Sequence, residues 1–158
     1  METLSIYLAG QISTKEEETY LWRKRVREHF KEVSQINVID PCNNGMNKEV
    51  LNTKTFDYAT RDHINIIVPK DNLYVDMSQI IFFNMNQYDL SKPLMGTLFE
   101  MERSNRHSNK TKIGIYNQDE KDLNFCHPFI QQSVHTWVKD EQEACALVEY
   151  YFGDVITF

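Results

Sequence analysis

The sequence predicts a single α/β domain, residues 1–158, in which helices cover both faces of a doubly wound parallel sheet. Three observations carry this: short apolar runs of strand type recur along the chain, segments of helical periodicity separate them, and one run is apolar without alternation. That run, Ile80-Ile81-Phe82-Phe83, suits a parallel strand buried on both sides. A chain of 158 residues has room for one full domain and not for two. At this size folding buries roughly 70% of the surface that the unfolded chain exposes, enough for a core without metal or disulfide staples.

The first strand is read at Leu4–Gly10, a Tyr-containing apolar run stopped by a glycine. After a polar loop, Thr14 and Glu17 have capping-box spacing, and Trp22, Val26, Phe30 and Val33 share one helical face, predicting a helix from about 14 to 34. Ile36–Ile39 is the second strand, closed by Asp40-Pro41 because the residue before proline is pushed out of the helical region. Residues 42–69 are Asn-rich and then semi-periodic, which suggests one or two short helices over a loop. A short helix over 71–79, with Asp71 as its N-cap, leads into the third strand. Thr97 and Glu100 repeat the capping-box spacing after a polar connection and start a helix to about 108. Residues 112–116 and 134–138 are the fourth and fifth strands. The closing helix, 141–151, sets Ala144, Leu147, Val148 and Tyr151 on one face. There is no internal repeat and no low-complexity segment.

Composition excludes several chemistries. The net charge of −6 argues against a nucleic-acid polymer or an anionic membrane as partner, since both are bound by neutralising phosphates. A small uncharged or singly charged ligand fits better. No apolar run approaches the ~20 residues that span a bilayer, and the start METLSIYLAG lacks the basic flank of a leader. A soluble, cytoplasmic protein is expected. Cys42, Cys126 and Cys145 are widely spaced, which suits a reducing compartment and gives neither a CxxC pair nor a zinc set. The five histidines contain no HExxH or HxxxH pair, and the five glycines cannot make GxGxxG or GxxxxGK[ST]. No GxSxG is present. Neither a metal nor a cofactor is expected.

Ligands of doubly wound sheets bind beyond the carboxyl ends of the strands. Three loops should meet there, 9–13, 84–96 and 117–128. From them and the helix start that follows come the candidate substrate-binding residues Gly10, Gln11, Ser13, Asn84, Gly96, Thr97 and His127. Glu100, one turn beyond Gly96, either points back to the sheet edge or only caps its own helix. Asp71 is either a ligand-facing acid or an N-cap, and Asp76, about 140° further round the helix, would not share its face. Tyr7 reads by default as a core tyrosine with a bonded hydroxyl. The simplest readings of the rest are solvated turn residues at 11–13, a core Trp22 beside a surface Arg23, and a 127–129 loop that packs Phe129 inward.

In order, Ile6-Tyr7-Leu8-Ala9-Gly10-Gln11-Ile12, Trp22-Arg23, Ile39-Asp40-Pro41, Asp71 leading to Ile80, and Pro93-x-x-Gly96-Thr97-x-x-Glu100 resemble the nucleoside 2-deoxyribosyltransferase family. The resemblance runs from residue 4 to about 116, and it implies a flavodoxin-like five-stranded parallel sheet. It also implies that Glu100 attacks the anomeric carbon, that Asp71 binds the sugar or handles the proton at the base, and that Tyr7 orients the nucleophile. The chemistry is coherent: an oxocarbenium-like state is trapped by one carboxylate while another acid serves the leaving nitrogen. A helix start beside Glu100 should keep it ionised. The chain departs from the family at Gln79, where many members have Asp, and at Leu94 and Met95, where nucleoside transferases carry an acid before the glycine. Relatives that hydrolyse deoxynucleoside monophosphates hold the phosphate with hydroxyls, a role open to Ser13, Ser91 and Thr97.

The expected function is therefore cleavage of the N-glycosidic bond of a nucleoside or nucleotide through Glu100, with transfer of the sugar to another base or to water. The alternatives are a nucleotide-binding module of the same fold without turnover, and a structural subunit with no ligand. A homo-oligomer is expected from Phe125, Phe129 and the apolar tail from Tyr150 onward, with the pocket closed by a neighbour as in the family it resembles.

Overall fold

The structure is a computed structural model and describes residues 3–44 and 65–156. Five strands form its sheet: β1 (Leu4–Gly10), β2 (Ile36–Ile39), β3 (Ile80–Asn84), β4 (Thr111–Ile115) and β5 (Thr136–Val138). They are ordered β2-β1-β3-β4-β5, and every pairing is parallel. That is the flavodoxin-like order, and its switch point lies between β1 and β3. The two strands run in register from Ile6 opposite Ile80 to Gly10 opposite Asn84.

Strand period two divides the core. Ile6 and Leu8 of β1 join Ile80, Phe82, Trp22, Val26, Ala144 and Val148 on one side, under α1 (Glu18–His29) and the C-terminal helix Glu141–Phe152. Tyr7 and Ala9 point the other way, to Val75, Ile81, Phe83 and Met101, under α2 (Ile67–Met77) and α3 (Met95–Asn105). A short α4 (Pro128–Gln132) follows β4, so the C-terminal helix is α5. At the sheet edge Gly114 leaves room for Trp137, since a Cβ there would stand 2.4 Å from the indole.

Three helix starts depart from the sequence reading. α1 spans Glu18–His29 rather than 14–34, and neither Thr14 nor Glu17 forms a capping box. Thr19 takes the work over: its hydroxyl accepts from Ser13 N and donates to Glu16 O. Beyond the helix, Phe30 and Val33 still turn into the core. α2 begins at Ile67, four residues before Asp71, because Pro69 is tolerated in a first turn that needs no N–H there. Asp71 is thus an interior residue and not a cap. α3 begins at Met95 and ends at Asn105, short of 108, and its N-cap Leu94 makes no side-chain bond. Thr97 and Glu100 therefore make no capping box. α5 does start as expected, where Asp140 Oδ1 accepts from Glu143 N at 2.9 Å. Of the expected fifth strand over 134–138, only Thr136–Val138 is strand. Most of the 42–69 segment lies outside the described residues.

Candidate active site

Tyr7 is the centre from which the site is built. Its side chain leaves β1 on the α2/α3 side, fully buried, and its hydroxyl donates to Glu100 Oε1 at 2.5 Å. An O–H donor this close to a carboxylate makes a strong, charge-assisted bond. The capping spacing around Glu100 is therefore idle, because the acid has a partner on another element.

Asp71, on α2, lines the same cavity as Glu100. The cavity measures about 490 Å³ and is walled by Ile67, Val68, Asp71, Asn72, Gly96, Phe99, Glu100, Glu102, Arg103 and Arg106, a size that suits a small organic ligand. Gly96 has open space where a side chain would stand, so the backbone is bare at the cavity mouth. Asp76 points elsewhere: Arg103 and His107 bind it and hold its carboxyl down at about 2.

Burial sets the electrostatics of the acid pair. It pushes Glu100 up from 4.5 to about 7; the Tyr7 hydroxyl pulls down, Asp71 adds to the rise, and Arg23 and Lys70 oppose it. The expected helix-start effect is thus overridden, and Glu100 is half protonated near neutral pH. Asp71 is also raised, chiefly by burial, against the pull of Lys70 and Arg23. Tyr7 is raised well above its ordinary value by its own burial and by Glu100, so it serves as a donor and not as a base.

Arg23 is the residue that sequence reasoning misplaced. Far from lying at the surface, it is fully buried and donates to the carbonyls of Leu8, Gly10, Gln11 and Thr19. Asp40 stands 3.8 Å from its Nε. The guanidinium ties down the turn after β1, a role for which its five N–H donors suit it. Only its place beside Trp22 in the motif hinted at this.

Gln11 and Ser13 are likewise buried, not solvated turn residues. Gln11 accepts from Asp89 N and donates to the carbonyls of Asp89 and Lys92, each at 2.8 Å, which staples the loop after β3 to the loop after β1. The Ser13 and Ser91 hydroxyls both donate to the Asp89 carboxylate, each at 2.5 Å, and hold its pKa down at about 2. Asn84 is buried, donates to the Tyr88 hydroxyl and accepts from Asn86. Gly10 packs so closely that a Cβ would lie 3.0 Å from Trp22. These residues frame the sheet edge. Thr97 is buried within α3.

His127 lies apart from the acid pair. It caps α4 by accepting from Phe129 N and lines a second groove, about 400 Å³, between α3 and α4, which meets the first at Glu102. Phe129 is not packed inward; it is 81% exposed and stacks on His127. Phe125 is the ring that turns in, stacked on Tyr116 at 4.0 Å. Gln79, at the family's Asp position, accepts from Ser5 N and so helps join β1 to β3.

Fold and cavity together define a flavodoxin-like α/β protein with two carboxylates and a tyrosine under its second helical layer. Among solved structures, a 2-deoxyribosyltransferase from Bacillus psychrosaccharolyticus is similar, with a TM-score of 0.63 at 16% identity over 96% of this chain and 95% of that one. A 2-desoxiribosyltransferase from Leishmania mexicana has a TM-score of 0.48 at 15% identity over 73% of this chain and 67% of that one. At such identities the first likeness establishes the fold. No family model and no curated protein matches the chain. No helix among the described residues is long and apolar enough to cross a membrane.

Proposed function

We propose that this chain cleaves the N-glycosidic bond of a deoxynucleoside or deoxynucleotide and passes the sugar to another base or to water. The observation that carries the reading is the part-buried Tyr7–Glu100 bond at the wall of a cavity that Asp71 also lines. Tyr7 engages Oε1 of Glu100, and the other carboxylate oxygen attacks the anomeric carbon. The C–N bond breaks as the C–O bond forms, its electron pair going to the base nitrogen, which takes a proton. Asp71 serves that proton or a sugar hydroxyl. A second base or a water then displaces Glu100. The first solved neighbour, itself a 2-deoxyribosyltransferase, supports this class of substrate.

The decisive experiment is incubation with the common deoxynucleosides and their monophosphates, followed by chromatography for free base. Release that Asp71→Asn abolishes without lowering the melting temperature supports the reading. A thermal shift by nucleotide with no release would instead mark a binding module.

A homo-oligomer belongs to the same proposal. Val68, Leu73, Met77, Met95, Phe99 and Phe129 are all more than half exposed on α2, α3 and α4, as are Tyr150 and Tyr151 on α5, more apolar surface than a monomer usually shows. Sedimentation should give at least twice the 18.7 kDa of one chain. A competent monomer at micromolar concentration would refute this part.

A further inference from the structure

Lys70 immediately precedes Asp71 on α2. Neighbouring side chains on a helix project about 100° apart and do not normally face each other. Here the Lys70 ammonium nevertheless stands 3.2 Å from Asp71 Oδ1. The ammonium also lies over the ring of Tyr74, one turn on, whose centroid is 5.7 Å from Nζ. A second hold comes from Pro41 O at 3.5 Å. Tyr74 in turn packs against Tyr7, the donor to Glu100, with ring centroids 6.4 Å apart. Asp71 Oδ1 is buried and has no hydrogen bond of good geometry, which leaves this ammonium as its close polar neighbour among the described residues.

We propose that Lys70 is a positioning residue of this site, whose ammonium holds the Asp71 carboxylate at the cavity wall and governs its charge state. The inference rests on reading Asp71 and Glu100 as the reacting pair. Other groups act on Asp71 from the elements around it. Arg23 on α1 favours its ionised form, while Tyr7 on β1, Glu100 on α3 and Cys42 after β2 are coupled to it by charge. Glu102, Arg103 and Arg106 complete the cavity on the α3 side. Of the cations, Arg23 is locked onto backbone carbonyls and Arg103 onto Asp76, whereas Lys70 contacts Asp71 directly. An opposite charge at this distance favours the carboxylate, so removing it lets burial raise the acid further.

The test uses wild type, Lys70→Met and Lys70→Arg, with Asp71→Asn to assign the Asp71 signal. Lys70 sits in the first turn of α2 with a quarter of its side chain exposed, so replacing its head group leaves the core intact. Carboxyl carbon chemical shifts are followed against pH, alongside the pH profile of base release. In Lys70→Met the Asp71 titration should move up by roughly one pH unit. The pH profile of base release should move with it, and Lys70→Arg should restore both. An Asp71 titration unchanged in Lys70→Met overturns the inference, as does a shift that arginine fails to restore, because stem packing rather than charge would then be responsible. Chemical shifts that move as expected in a chain releasing no base support the Lys70–Asp71 coupling and refute the catalytic reading instead.

Discussion

Replacing Glu100 with glutamine should make the protein more stable at alkaline pH while destroying its activity. Burial raises Glu100 from 4.5 to about 7. Between those values the folded chain keeps a proton that the unfolded chain has lost. The contribution of this group to stability is therefore complete below about pH 4.5 and is lost as pH rises through 7. Above pH 7 the native chain carries a desolvated carboxylate at a cost of at most about 3 kcal/mol. Glutamine has the same shape, can still accept from Tyr7 and never charges. The helix end loses nothing, because Glu100 makes no cap. Glu100→Gln should thus match wild type at pH 5 and exceed it at pH 8, by roughly 5–10 °C in melting temperature for a domain of this size. Thermal unfolding of both proteins at the two pH values is the assay, and the difference of differences isolates the one side chain. An equal gap at pH 5 and pH 8, or a variant less stable at pH 8, would refute the reasoning. Base release should vanish in the variant at both pH values, the expected trade of stability for a strained functional group.

Tyr7→Phe keeps the buried ring and removes the donor, so the limb of the activity profile that needs ionised Glu100 should rise by roughly one to two pH units; an unchanged profile would show that the hydroxyl does not act on the acid. Arg23→Met removes the donors to the carbonyls of Leu8, Gly10, Gln11 and Thr19, while Asp40 keeps Arg27 and the Cys42 amide, and should cost about 3–5 kcal/mol in urea unfolding. A loss below about 1 kcal/mol would place the guanidinium outside the framework of the β1 turn. Gly96→Val should fill the bare cavity mouth, raising KM for a nucleoside with little change in melting temperature, because a Cβ there meets open space.

The sequence by itself determined the strands and their sense. Apolar runs such as 80–83 and the proline after Asp40 are local signals, and β1 and β2 fall where periodicity and Pro41 put them. The order of motifs also pointed to Tyr7, Asp71 and Glu100 before any geometry was known. Tertiary structure decided what each of these residues contacts. Capping spacing tells which side chain is able to reach its own helix, but it is silent about competitors. For Glu100 the competitor is a hydroxyl ninety-three residues away, brought close only when β1 and α3 pack. The same holds for Arg23, Gln11 and Ser13, polar residues that read as surface until the loops after β1 and β3 supply carbonyls, an amide and a carboxylate for them inside. Charge state was equally illegible, since the rise of Glu100 comes mainly from desolvation, and desolvation is a property of the packed layers rather than of neighbours along the chain.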